Sequence, residues 1–169
     1  FLYPLFPDWI EMLRREGVFD EEYLAQADNP DFIERAEDNI SFWKDYLQKE
    51  EISIKDIAMA QVDDIKVLYG NGIVFALGTD TGPFVLPGYS LHEEMQLFES
   101  GGMNQLDIIK MATFNAATIM RAQDSLGSIE NGKIANMVLL NKNPLEEISN
   151  TLEINTVIKR GRIQKRIGE

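Results

Sequence analysis

One carboxylate stands where an apolar run ends. In GIVFALGTDTGP, Gly72 to Pro83, five apolar residues from Ile73 to Leu77 lead through Gly78 and Thr79 to Asp80. A short apolar run of this kind reads as a strand buried on both faces. In parallel α/β architectures, functional side chains sit where such strands end and loops begin. An aspartate at that place can ligate a metal ion or act as general base toward a metal-bound water. It can equally cap a turn, as Asp often does. Gly78 and Gly82 allow the backbone to turn tightly beside it.

The second candidate is His92, the only histidine of the chain. Ser90 with Glu93 three residues later forms a capping-box pattern, so a helix is expected from Ser90 to about Ser100. His92 then falls in the first turn, on the side of the domain that holds Asp80. A helix N-terminus disfavours imidazolium, so a neutral ring is expected. Such a ring can bind substrate, orient a neighbouring group, or hydrogen-bond within its own turn.

Other chemistries find little support. A metal site needs three or four ligands, and one His, no Cys and one well-placed Asp do not supply them. No G-x-S-x-G elbow is present, and GNGIVFALG lacks the ending of a phosphate loop. The net charge of -12, from 28 acids against 16 bases, argues against nucleic acid or an anionic membrane as partner. No apolar run approaches the ~18 residues of a membrane span. The first residues lack a basic n-region and a cleavage site, so a cytoplasmic location is the default expectation. The chain begins on Phe1, which suggests processing or truncation.

The elements that must position these residues follow from periodicity. FLYPLF reads as a possible strand end, and short helices are expected in PDWIEMLRREG and DEEYLAQA. Ile33, Ala36, Ile40, Trp43 and Leu47 step by three and four, the stripe of an amphipathic helix. Ser53 with Asp56 signals a further helix, which should turn Ile57, Ala58, Val62, Ile65 and Leu68 inward and stop at Gly70–Gly72. Asn104 with Asp107 should cap another, running through IIKMATFNAATIMRAQ. Met103, Met111, Met120 and Met137 read as core. After Gln123 the pattern turns β-like, with turns at Asn131-Gly132 and Arg160-Gly161 and one helical turn in LEEISN. A buried strand flanked by helices belongs to a parallel sheet covered on both faces. One strand cannot make that sheet, so the chain reads as part of an α/β domain.

Four blocks in order, GIVFALGTDTG, VLPGYSLHEEMQLFESGGMNQLDIIKMATFNAATIM, LGSIENGKIANMVLLNKNPLEEI and VIKRGRI, resemble the C-terminal part of the amidohydrolase superfamily, in its imidazolonepropionase-like and prolidase-like branch. The resemblance implies the last part of a (β/α)8 barrel, from about the end of strand seven to helix eight, with an extra helix and a partial β-sandwich tail. Residues 1–122 would be barrel and 123–169 sandwich. It implies that Asp80 is both metal ligand and catalytic proton acceptor, that His92 lies in the substrate pocket, and that Ile129, Ala135, Val138 and Leu140 face a small core. The implied activity is hydrolysis of a C–N bond in an amide, cyclic amide or peptide-like substrate, by water activated on a divalent metal, Zn²⁺ first among candidates. The family's other ligands, a His-x-His and further histidines, are not found here. A full barrel takes about 250 residues, so the segment alone is expected to be inactive and to bind no metal tightly. Its missing partner would be an N-terminal barrel half, on the same or another polypeptide. The alternative is a non-catalytic interaction or scaffold module that oligomerises with another copy through an open sheet edge.

Overall fold

The computed structural model of the chain describes residues 49–50, 54–79 and 88–164. The elements expected before Ile54, the loop 81–87 and Asp80 itself lie outside the described residues. Helix α1 is Ile54–Gly70. Its first two turns, through Gln61, belong to one compact unit, in which Ala58 is buried. From Val62 onward the described residues form a second unit, which carries everything that follows.

In that unit α2 spans Tyr89–Ser100. Helix α3 runs over Gln105–Lys110, widens into a π turn at Met111–Asn115, and resumes as α4, Ala116–Ile119. A three-stranded antiparallel sheet follows, of β1 (Met137–Leu140), β2 (Ile154–Lys159) and β3 (Arg162–Gln164), in that order. A 3-10 turn, Ile148–Leu152, connects β1 to β2 and packs on α2. No helix among the described residues is long and apolar enough to cross a membrane.

The glycine signals stop the helices as read. At the end of α2, Met103 N–H reaches back to Phe98 O at 3.0 Å and Gly102 N–H to Glu99 O at 2.8 Å, the two bonds of a Schellman motif. The motif needs a left-handed residue, and Gly102 has φ 80°. Gly72, φ 86°, closes α1 in the same way. The third such ending is made by Arg121, φ 54°, with Ala122 N–H on Ala117 O at 2.8 Å. Asn104 caps α3 as expected, its side chain accepting from Leu106 N–H at 2.9 Å. The β2–β3 hairpin turns at Arg160-Gly161 as read, with positive φ at both residues.

Several expectations fail. Helix α2 starts at Tyr89 with Gly88 as its N-cap, two residues ahead of the expected cap Ser90, so Ser90 lies buried inside the first turn instead of capping it. The segment Ile73–Leu77 has no regular secondary structure and pairs with no strand among the described residues, and Ile73 and Val74 are each 51% exposed. A central strand is buried only by neighbours on either side, so the described residues form an α/β arrangement with a partial antiparallel sheet, short of a closed barrel. The tail differs likewise: Ile129 is 84% exposed and Val138 is exposed, because no second layer covers them among the described residues. Ile57 and Leu68 of α1 and Met120 beyond α4 are exposed too, whereas Ala58, Val62, Met103 and Met111 are buried as expected.

The core of the second unit is built from Val62, Met95, Phe98, Met103, Ile108, Met111, Ala117 and Ile148. Its tightest point is where α1 meets the end of α2. A Cβ on Gly101 would stand 2.4 Å from Val62 Cγ1. Val62 is β-branched, helical and buried, so it has no second rotamer to retreat into. Gly101→Ala is therefore expected to cost about 1–3 kcal/mol. Combining it with Val62→Ala should cost less than the sum of the two single changes, read from urea midpoints. Strict additivity would refute the contact.

Candidate functional site

Helix α2 carries His92 and the acids that follow it. His92 Nδ1 lies 2.8 Å from Thr151 Oγ1, in the 3-10 turn. Thr151 donates its one hydroxyl proton to Ile148 O at 2.8 Å. The threonine can then only accept from the ring. His92 is accordingly the Nδ1–H tautomer, with Nε2 left as an acceptor. Burial pushes its pKa below the usual 6.5, which favours the neutral ring, by a cause other than the helix N-terminus. The substrate-binding role expected of His92 rests on Nε2, because Nδ1 is taken.

Burial depresses the folded-state pKa of His92, so the unfolded chain binds the proton more readily. The His92 contribution to stability is present above about pH 6.5 and is lost as pH falls through the folded-state value. His92→Gln should flatten the decline in urea midpoint just below pH 6.5. An unchanged decline would assign it to other groups.

The structure adds residues that the sequence reading passed over. Glu94 Oε1 accepts from Gly78 N–H at 3.4 Å, reaching the end of the Ile73–Leu77 run. Its Oε2 is buried with no hydrogen-bond partner among the described residues. Burial raises the Glu94 pKa, and the Gly78 N–H partly opposes that rise. Burial raises the pKa of Glu93 as well. One residue before Gly78, Leu77 N–H donates to the Met111 carbonyl at the start of the π turn, at 3.3 Å. At the far end of α2, Glu99 Oε1 accepts from Ile148 N–H at 3.0 Å and from Gln105 Nε2 at 2.8 Å. Lys66 Nζ donates to Gly101 O at 2.5 Å. Helix α2 is thus tied to the 3-10 turn near both ends and to α1 at its C-terminus. The signal available in sequence was HEE at the start of the helix, but acids there read as ordinary dipole partners.

Among the described residues no group of three or more His, Cys, Asp or Glu could hold a metal ion. A zinc ion needs three or four ligands, so the donors described do not fit one by themselves. The arrangement as it stands can fix a loop, hold a neutral imidazole and present a carboxylate with one open oxygen.

Comparison with known proteins gives this site a context. The profile of the amidohydrolase family matches residues 17–164. Ochratoxinase of Aspergillus niger is 41% identical over 78 residues, 46% of this chain and 16% of that protein. Imidazolonepropionase of Caldanaerobacter subterraneus subsp. tengcongensis is 35% identical over 104 residues, 57% of this chain and 24% of that protein. The crystal structure of a Xaa-Pro dipeptidase with bound methionine in the active site superposes with a TM-score of 0.56 at 32% identity, covering 62% of this chain and 25% of that one. The chain spans a quarter or less of each of these relatives.

Proposed function

Because the chain belongs to the amidohydrolase family, we propose that it completes a C–N bond hydrolase, to which it brings Asp80, and that taken alone it is a non-catalytic module that associates through its open sheet. The observation that carries the second half is the lack of a metal-holding donor set among the described residues. The tail supports it further. Among the described strands, β1 and β3 each pair only with β2. Val138, Leu139 and Ile163 are exposed on them. An open edge beside apolar side chains is ready to pair with another chain.

In the whole enzyme the substrate is an amide, cyclic amide or peptide-like molecule. Asp80 takes the proton of the attacking water and returns it to the departing nitrogen as the C–N bond breaks, acting first as base and then as acid. A divalent metal, Zn²⁺ by the resemblance, would find one ligand in this chain, Asp80, and the rest in other parts of the protein. Nε2 of His92 is the atom offered to substrate.

The isolated chain tests this directly. After exposure to zinc and dialysis it should retain far less than one ion per chain, show no amide hydrolysis, and sediment as a dimer or larger species. One tightly held ion per chain together with turnover would overturn the non-catalytic reading. A monomer at every concentration would overturn association through the sheet.

A further inference from the structure

We propose that Glu94 is a positioning residue: its carboxylate holds the backbone at Gly78, two residues ahead of Asp80, and thereby sets where the Asp80 carboxylate stands. The inference rests on the catalytic reading of Asp80 given above. It starts from a weakness in the chain. The run Ile73–Thr79 has no regular secondary structure and pairs with no strand among the described residues. Its last residue but one is Gly78, which is exposed and has no Cβ. Glycine there has the widest conformational freedom of any residue. Directional error introduced at Gly78 would pass to a carboxylate only two residues on, and misplacement by 1 Å is enough to damage catalysis.

Two consecutive amides counter that freedom. Leu77 N–H is held by the Met111 carbonyl and Gly78 N–H by Glu94 Oε1. The first anchor is backbone and survives any side-chain change. The second is the one side-chain tie that reaches the glycine among the described residues. Glu94 also sits on a helix that cannot drift. His92 ties that helix to Thr151, Glu99 ties it to the Ile148 amide, and Lys66 holds the carbonyl of its C-cap, Gly101. Keeping a half-buried carboxylate with one oxygen unpartnered among the described residues is unfavourable for stability. A role in aiming the loop accounts for its presence.

The test uses the full-length enzyme. Glu94→Ala should lower kcat about 10–100-fold, the range seen when a supporting partner of a metal ligand is removed, with KM changed less than about threefold. Amide exchange at Gly78 should accelerate about tenfold or more. Glu94→Gln keeps an oxygen acceptor for the Gly78 amide and should recover most of both losses. Wild-type kcat in Glu94→Ala, or unchanged Gly78 exchange, would overturn the proposal. So would equal damage from Gln and Ala, because the charge and not the tether would then matter. Asp80→Asn, run in parallel, separates the failures. A loss of activity in Asp80→Asn beside a fully active Glu94→Ala sinks only the positioning role, whereas an active Asp80→Asn sinks the catalytic reading and this inference with it.

Discussion

Asp80→Asn in the full-length enzyme is expected to lower kcat about 10²–10⁴-fold, the usual contribution of a positioned proton acceptor, with the fold unchanged. Asparagine matches aspartate in size and keeps one carbonyl oxygen, but it cannot take a proton from water at neutral pH. It is also a poorer ligand for a hard or borderline cation. Measuring metal content beside kcat divides the two duties. Full occupancy with lost turnover assigns the effect to proton transfer; lost occupancy assigns it to ligation. Near-normal kcat would remove Asp80 from the mechanism.

The largest effect on stability should come from Ile148→Ala. Ile148 is fully buried where the 3-10 turn packs on α2, and its own amide is held by Glu99. Removing three carbons from such a site costs about 2–5 kcal/mol, since the lost burial is compounded by the cavity left behind. The partners of this residue cannot close the gap easily. They belong to a turn fixed by His92 through Thr151 and to a helix fixed by Lys66. The exposed Val67 of α1 serves as the control, and Val67→Ala should stay within about 0.5 kcal/mol. Equal urea midpoints for the two variants would show that the turn does not depend on its buried anchor.

The sequence announced the local stops and starts because they depend on single residues. Gly72 and Gly102 provide left-handed ends, Asn104 provides a cap, and Arg160-Gly161 turns the hairpin. The ending at Arg121 was not legible, since nothing in an arginine signals a positive φ. Burial was legible only where both layers of packing are among the described residues. Met111 and Val62 meet that condition; Ile129, Val138 and Ile73 do not, and apolar residues expected inside are exposed. Of the candidate site, the family and His92 could be read from letters in order, whereas the lowering of the His92 pKa comes from burial and not from the helix N-terminus inferred from the sequence. The tie of His92 to Thr151 and that of Glu94 to Gly78 span 59 and 16 residues. Periodicity carries no information over such separations. Asp80 lies outside the described residues, so its role stands on the resemblance and on the experiment above.

The π turn at Met111–Asn115 makes chain length itself a constraint. A turn closed from i to i+5 accommodates one residue more than α geometry needs to join the same two helical pieces. Deleting one residue there would relax the turn to ordinary helix with the two pieces still in register, whereas adding a further residue would rotate everything beyond it by about 100°. Ala117, whose Cβ leaves no room for a side chain at Gly127, would swing off that loop. The segment can therefore absorb a one-residue deletion more readily than an insertion, whereas the exposed Asn131-Gly132 turn imposes no such count.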